Sequence, residues 1–250
     1  MLFSIITVTF NASPVLQPTL DSVKEQTFSD FEYLVIDGAS SDDTLQLVEQ
    51  AAIPGTKVWS EPDKGLYDAM NKAIDKAQGE YLIFLNAGDS FASPLSLERM
   101  ATVAQQHPDV IYGQTQLVDH NRKVVGMRHL TAPTQLNWKS FKDGMLVCHQ
   151  AFVARRELVP HYNLDYRYSA DYDWCIKVLR ESKLCAYVGD EPIISFLSDG
   201  GLTTQHHKAS LKERYHIMCQ YYGKIPTIAR HAKFALRHLS RKLFNKQSAS

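Results

Sequence analysis

The first hundred residues predict an α/β fold with a mostly parallel central sheet and helices on both faces. Short apolar, β-branched runs, typical of buried parallel strands, alternate with segments whose apolar residues recur every three or four positions, as in helices. Polar, turn-forming residues follow each apolar run, where a strand would lead into a helix. The predicted strands are Phe3–Thr9, Phe31–Ile36, Val58–Ser60 and Tyr81–Leu85.

Three helices are expected between these strands. Pro14 fits the first turn of a helix, where a backbone N–H has no partner to lose. Asp42 and Asp43 are typical caps for the next helix. Gly79 is expected to end a third helix over residues 66–77. The apolar start of the chain has no basic residues before it and no small-residue cleavage site after it, so it is expected to be a strand and not a signal peptide.

The second hundred residues predict a mixed region. Two strands, 110–117 and 123–128, are expected to pair in antiparallel fashion around a turn at Asp119. A further strand is expected over 146–154, a helix over 171–180, and a short strand over 185–188. The change of pattern places a boundary near residue 100 within one large domain.

Composition is that of a globular protein, with 44% apolar and 22% charged residues and a formal net charge of zero. The four cysteines show no paired spacing, which favours reduced thiols in the cytoplasm. No run reaches the ~20 apolar residues that span a bilayer.

The last part of the chain is basic. No acidic residue follows Glu213, and residues 226–246 repeat apolar residues at helical spacing beside lysines and arginines. A basic amphipathic helix of this kind favours peripheral contact with an anionic membrane at the inner face. The alternative is a helix packed on the protein's own body with a solvated basic face. No zinc-finger or helix-turn-helix pattern is found, so no nucleic-acid partner is expected.

Polar residues at the predicted strand ends are the candidate ligand-binding groups, because such sheets bind ligands beyond the carboxyl ends of their strands. Asp37 suits hydrogen bonding to a nucleoside, or a structural turn. Asp89 suits Mg²⁺ or Mn²⁺, which prefer oxygen ligands, or a helix cap. Lys64 and Gly65 suit a diphosphate at a helix start, or simply a solvated helix end.

Four strings together resemble a family 2 glycosyltransferase, of the subgroup that builds bacterial exopolysaccharide, capsule or O-antigen units. They are IITVTFN at 5–11, VIDGASSDDT at 35–44, EPDKGLYDAMNK at 61–72 and GEYLIFLNAGD at 79–89. The resemblance covers roughly residues 3–200. It implies the GT-A fold, a nucleotide-diphospho-sugar donor, Mn²⁺ or Mg²⁺, and inversion at the anomeric carbon.

The resemblance also implies roles for individual residues. Asp171 matches the general base, with Asp173 as the second candidate, and both could instead be helix-capping acids. Asp89 matches the last acid of the metal motif Asp-x-Asp-Asp, here Asn86-Ala87-Gly88-Asp89, so that one carboxylate remains and His206 or His207 is a possible further ligand. The residues expected to bind the donor are Thr9, Asn11, Asp37, Asp63, Lys64, Asn86, Asp89, His149 and Gln150.

The expected organisation is a GT-A domain at 1–210 and a basic helical extension at 211–250. Within the domain, residues 1–100 are expected to bind the nucleotide-sugar and 101–210 to form a smaller, acceptor-side catalytic half. The Gln-x-x-Arg-Trp motif of processive relatives is absent, so one sugar is expected per encounter, transferred to a saccharide or a polyprenyl-diphosphate-linked saccharide. The alternatives are a sugar nucleotidyltransferase and a sugar-nucleotide-binding scaffold protein with a degenerate metal site.

Overall fold

The computed structural model describes residues 1–198 and 206–234. Within these ranges nine strands form one sheet, in the order β3-β2-β1-β4-β8-β6-β9-β5, with β7 paired to β6. The strands are β1 Phe3–Thr9, β2 Phe31–Asp37, β3 Thr56–Ser60, β4 Tyr81–Phe84, β5 Ser90–Phe91, β6 Val110–Val118, β7 Val124–Met127, β8 Phe152–Arg155 and β9 Cys185–Leu197. The α-helices with both ends described are α1 Ser13–Lys24, α2 Thr44–Ala51, α3 Leu66–Lys76, α4 Ser96–Ala104, α5 Ala170–Glu181 and α6 His207–Tyr222.

The first half is a parallel sheet, as the sequence predicts. β1 pairs in parallel with β2 on one side and with β4 on the other, and β2 pairs with β3. The register sets Thr9 opposite Asp37 and Asp37 opposite Ser60, so three polar strand ends lie side by side. All seven residues of β1 are buried, because helices cover both faces of the sheet.

The second half adds strands of both directions. β8 runs antiparallel to β4 and β6, whereas β9 runs parallel to β6. The carboxyl ends of β1, β2, β3, β4, β6 and β9 therefore meet the start of β8 at one edge of the sheet. This edge carries the candidate site.

Two strand predictions in the second half are wrong in extent. Only Phe152–Arg155 of the predicted strand over 146–154 is extended in the sheet, and the segment before it is a loop ending in the 3-10 turn His149–Ala151. That loop is apolar because it packs into the core, not because it pairs. Conversely, β9 continues from Cys185 to Leu197, with irregular register where Gly189 has φ 123° and Pro192 joins the ladder.

Gly79 does not end α3 as predicted. The helix stops at Lys76, and Ala77 leaves it in an extended conformation. Gly79 instead touches the backbone of β1: a Cβ at this position would lie 2.5 Å from the carbonyl carbon of Phe3 and from the nitrogen of Ser4. The glycine is needed for close approach of two chain segments.

Asp42 and Asp43 divide the role predicted for them. Asp43 precedes α2 but makes no capping hydrogen bond with its side chain. Asp42 accepts hydrogen bonds from the hydroxyl of Thr44 at 2.5 Å and from the N–H of Ser13 at 3.0 Å, which joins the starts of α1 and α2. The Thr44 hydroxyl, with the other donors, lowers the pKa of Asp42 to about 2.

The carboxyl-terminal part is held against α5. Glu213 of α6 accepts hydrogen bonds from the N–H groups of Arg167 and Tyr168, and Ser210 contacts Ser169 at 3.0 Å. Residues 224–234 are helical, while 199–205 and 235–250 lie outside the described residues, and with them most of the basic helix predicted over 226–246.

The four cysteines are free thiols. No helix in the described part of the chain is long and apolar enough to cross a membrane.

Candidate active site

The strand-end edge brings together most of the residues predicted from the sequence, in two adjoining clusters. The first cluster follows β1 and β2 and contains Thr9 and Asp37. The second cluster joins the end of β4 to the start of β8 and contains Asp89 and Gln150. Direct hydrogen bonds hold each pair: 2.9 Å from the Thr9 hydroxyl to Asp37, and 2.6 Å from the Gln150 amide to Asp89.

Asp37 is the centre of the first cluster. Its carboxylate is completely buried and accepts hydrogen bonds from Thr9, from the N–H and hydroxyl of Ser40 at 2.9 and 2.5 Å, and from Ser60 at 2.6 Å. Burial by itself would raise the pKa of Asp37, but these donors outweigh burial and leave it below its usual value. Asp37 is therefore ionised and fixes the shape of the loop after β2.

An open, partly aromatic surface lies beside that loop. The Asp63 carboxylate packs on Gly38 so closely that a Cβ there would stand 2.5 Å from Asp63 Oδ2. The ring of Phe10 borders the same point and is 66% exposed. Asn11, at φ 47°, accepts a 2.9 Å hydrogen bond from the N–H of Ser41 and braces the loop. A flat ligand group could stack on Phe10 and hydrogen-bond to Asp63.

Lys64 stands at the start of α3, on the exposed surface. Its backbone N–H donates to Asp68 at 2.9 Å, and Gly65 begins the helix with φ 118°. The Lys64 side chain is thus free of the fold's own packing, at a helix end that favours negative charge. The structure places it on the surface near Asp63 and does not bring it into the buried clusters.

Asp89 is the centre of the second cluster. It is 5% exposed, and its two oxygens accept hydrogen bonds from Gln150 at 2.6 Å and from the N–H of Leu197 at 3.0 Å. Burial raises the pKa of Asp89 to about 7, and the two hydrogen bonds, with the charge of Arg122, only partly offset that increase. In the same loop, Oδ1 of Asn86 is buried without a hydrogen-bond partner in the described residues, so it is free to accept one there.

The residues around Asp89 do not form a set typical of a metal site. Both of its oxygens are engaged, and in the ranges 1–198 and 206–234 no three His, Cys, Asp or Glu side chains come together in a way that could hold an ion. His206 and His207 are exposed, and His206 packs on Tyr168 with ring centres 4.8 Å apart. The described donors therefore do not fit Mn²⁺ or Mg²⁺ as a protein-built cage.

Asp171 lies half-buried in the first turn of α5. Its Oδ1 accepts a 3.2 Å hydrogen bond from the hydroxyl of Tyr67 and a 2.8 Å bond from the N–H of Tyr172. Both contacts use the same oxygen, so Oδ2 has no donor within the described residues.

A stack of aromatic rings fixes the position of Tyr67, which donates to Asp171. Tyr67 stacks on Tyr162 at 5.5 Å, and Tyr162 stacks on Trp174 at 5.0 Å. The side chain of Asn71 holds the backbone of Tyr162 with bonds of 3.0 and 2.6 Å. His149 belongs to this stack: its Nε2 lies 2.7 Å from the Tyr162 hydroxyl, and burial lowers its pKa, so it is neutral.

Asp173 has different surroundings, although it is only two positions away. It is 2% exposed, pairs with Lys177 at 2.7 Å, and accepts a 2.7 Å hydrogen bond from the hydroxyl of Tyr221. Since Tyr221 belongs to α6, this carboxylate ties α6 to α5. Asp173 is thus enclosed between α5 and α6, whereas Asp171 is only half-buried.

Sequence reasoning missed two groups that complete the site. Tyr67 lies inside the string 61–72, but nothing in the string shows that its hydroxyl reaches α5. Arg122, in the turn between β6 and β7, donates to the carbonyl of Gly88 at 2.7 Å and to the hydroxyl of Ser90, and so holds the loop after β4. No local signal distinguishes it from a solvated arginine in a turn.

A parallel sheet with polar strand ends beside a helix-borne carboxylate is the arrangement of the GT-A glycosyltransferases. Solved structures with this fold are similar to the chain. S. aureus TarS 1–349 in complex with UDP-GlcNAc superposes with a TM-score of 0.71 at 21% identity, over 96% of this chain and 73% of that one. The mannosyltransferase PcManGT of Pyrobaculum calidifontis, with GDP-Man and Mn²⁺, gives a TM-score of 0.60 at 15% identity, over 99% and 79%.

The sequence comparisons define the family. The model of glycosyl transferase family 2 matches residues 4–162. The PGL/p-HBAD biosynthesis glycosyltransferase of Mycobacterium tuberculosis is 35% identical over 210 residues, 81% of this chain and 79% of that protein. The uncharacterized glycosyltransferase EpsJ of Bacillus subtilis is 25% identical over 90% of this chain and 69% of its own length. The chain belongs to glycosyl transferase family 2.

The predictions of family, fold class and enzyme class are thereby confirmed. The protein is a glycosyltransferase, and the nucleotidyltransferase and scaffold alternatives lose their support.

Proposed function

We propose that the protein is an inverting glycosyltransferase in which Asp171 is the general base. One sugar moves from a nucleotide-diphospho-sugar to a saccharide or a polyprenyl-diphosphate-linked saccharide, in cell-surface polysaccharide or glycolipid biosynthesis. The observation that supports this most is the contrast between two acids on α5. Asp171 is half-buried, and its Oδ2 has no donor within the described residues. Asp173 is 2% exposed and is held by an ion pair with Lys177 and a hydrogen bond from Tyr221.

The donor nucleoside is proposed to lie on the surface formed by Phe10, Asp63 and the loop that Asp37 fixes. Phe10 offers an exposed ring for stacking, and the half-buried Asp63 carboxylate can accept hydrogen bonds from a base or ribose. Lys64 carries positive charge for the diphosphate, and Asn86 has a buried oxygen still to be partnered. The sugar would then extend from this surface towards Asp171. The TarS neighbour, solved with UDP-GlcNAc, is consistent with a nucleotide-sugar donor.

The reaction at Asp171 is a single displacement. Oδ2 takes the proton of an acceptor hydroxyl as that oxygen forms a bond to the anomeric carbon. The bond from the anomeric carbon to the diphosphate oxygen breaks, and the nucleoside diphosphate leaves with the electron pair. Such general-base assistance contributes ~10² to 10⁴ in rate.

A divalent cation, Mn²⁺ or Mg²⁺, would be held by Asp89 together with the diphosphate of the donor, and it would offset the charge of the departing diphosphate. The Pyrobaculum neighbour was solved with GDP-Man and Mn²⁺, which is a reason to test for one. Around Asp89, however, the oxygens are engaged by Gln150 and Leu197. Transfer measured in Mn²⁺, in Mg²⁺ and in EDTA therefore tests whether turnover needs an ion.

Contact with an anionic membrane from the cytoplasmic side is proposed for the described part of the carboxyl-terminal helix. Ile225 and Ile228 are 83% and 51% exposed, and Lys224 and Lys233 are exposed beside them. Apolar side chains flanked by cations are typical of interfacial helices. In vesicle flotation, Ile225→Glu should lower binding to anionic vesicles, whereas Leu164→Glu, at a 48% exposed position elsewhere, should not.

The function is tested by assaying release of UDP, GDP or dTDP from a panel of nucleotide-sugars, with bacterial lipid-linked saccharides as acceptor. Wild type should release one nucleoside diphosphate per sugar transferred, with an inverted anomeric centre. Asp171→Asn should bind the donor but transfer sugar at least ~10²-fold more slowly. A retained anomeric configuration, or full activity of Asp171→Asn, would contradict the proposal.

A further inference from the structure

Arg214 is a cation of α6 whose guanidinium is not paired with a carboxylate among the described residues. Its Nε atom is buried and has no hydrogen-bond partner in the described ranges, and within them Arg214 forms no ion pair with a carboxylate. A buried donor without a partner is costly, and in native proteins such a group often marks a place that a ligand completes. Arginine is also the side chain best suited to phosphate recognition.

The position of Arg214 is fixed with respect to the candidate base. Ser210 and Glu213, on the same helix, bind the segment just before α5 through the contacts with Ser169 and with the N–H groups that precede it. Arg214 therefore reaches the first turn of α5, where its guanidinium carbon lies 5.9 Å from the centre of the Tyr172 ring.

The guanidinium also acts on the hydroxyl that holds the base. Burial and the Asp171 carboxylate raise the pKa of the Tyr67 hydroxyl well above its usual value, and the charge of Arg214 opposes that increase. Arg214 thus lies within electrostatic reach of the Tyr67–Asp171 pair.

We propose that Arg214 binds the diphosphate of the nucleotide-sugar and stabilises the charge of the departing nucleoside diphosphate. The proposal rests on the proposed function, because it assumes a nucleotide-diphospho-sugar near Asp171. Positive charge from Arg214 would act where no three His, Cys, Asp or Glu side chains of the described residues come together to hold a metal ion. A fixed guanidinium aimed at a leaving diphosphate supplies the neutralising charge directly.

The test measures binding of UDP, GDP and dTDP, and of uridine, guanosine and thymidine, by calorimetry in EDTA. Arg214→Gln should weaken binding of the preferred nucleoside diphosphate about 10- to 100-fold and leave binding of its nucleoside unchanged, as loss of a hydrogen bond to a charged group predicts. Arg214→Lys should restore part of the loss. Lys212→Gln removes the same charge from an exposed position of α6 and should bind like wild type.

Three results would overturn the inference. If Arg214→Gln weakened binding of the nucleoside and of the nucleoside diphosphate equally, Arg214 would have a structural role. A lowered Tm of the same variant would agree with that role. If Arg214→Gln bound the nucleoside diphosphate as tightly as wild type, and wild type transferred sugar, the role of Arg214 would be refuted while the proposed function would stand. If wild type bound no nucleoside diphosphate in EDTA or with added Mn²⁺, the proposed function would fail first, and this inference with it.

Discussion

Asp171 and Asp173 are two acids of one helix turn that should respond in opposite ways to the same substitution. Asp171→Asn replaces a half-buried carboxylate whose donors within the described residues are Tyr67 and a backbone N–H. An amide oxygen can accept from both, so stability should change by less than ~0.5 kcal/mol. Transfer should slow by ~10² to 10⁴ because the proton acceptor is gone.

Asp173→Asn removes the negative charge from a carboxylate that is 2% exposed and bonds to both Lys177 and Tyr221. Hydrogen bonds to charged groups contribute about 1.5–3 kcal/mol when buried, and the ion pair adds less because Lys177 is 37% exposed. We expect a loss of about 2–3 kcal/mol, which for a chain of this size lowers Tm by roughly 5–10 °C. Activity at low temperature should fall far less than in Asp171→Asn.

The assay combines urea unfolding, followed by tryptophan fluorescence, with sugar transfer at 15 °C, where both variants are folded. The reasoning would be refuted by the reverse pattern: Asp173→Asn stable but inactive, with Asp171→Asn active but unstable. Equal loss of activity in both variants at full stability would show that the two acids share the catalytic role.

Three further predictions concern the surrounding structure. Because burial raises the pKa of Asp89 to about 7, the folded protein keeps a proton that the unfolded chain releases above about pH 4, and stability falls as pH rises from about 4 to about 7. In urea titrations with EDTA, the fall in the free energy of unfolding between about pH 4 and pH 7 should be roughly 4 kcal/mol smaller in Asp89→Asn than in wild type. The same pH dependence in both proteins would contradict this prediction. Tyr67→Phe keeps its ring stack but not its bond to Asp171, and should lower kcat about 10-fold with an unchanged donor Kd; a weakened Kd would contradict a positioning role. Gly79→Ala should lower the unfolding free energy by about 1–3 kcal/mol, since its Cβ would meet β1 at 2.5 Å; an unchanged value would show that the backbone gives way.

The donor side of the site could be predicted because it follows from order along the chain. Thr9 and Asp37 end neighbouring parallel strands, and parallel pairing places such ends side by side. The segment 146–154 shows the opposite case. Its apolar run fits a buried strand or a buried loop equally well, and only the packing of the second half decides that Phe152 begins the strand.

By itself, the sequence determined the parallel half of the sheet, the family and the edge of the sheet that carries the candidate site, since these depend on local periodicity and on short motifs. Tertiary structure alone decided which acid stays available. Asp171 and Asp173 differ by about 200° around one helix, so α6 covers one and leaves the other facing the site. Tertiary structure also decided that Gln150 donates to Asp89 and that Arg214 lies beside the first turn of α5. These contacts join residues far apart in the chain, and no local sequence pattern encodes them.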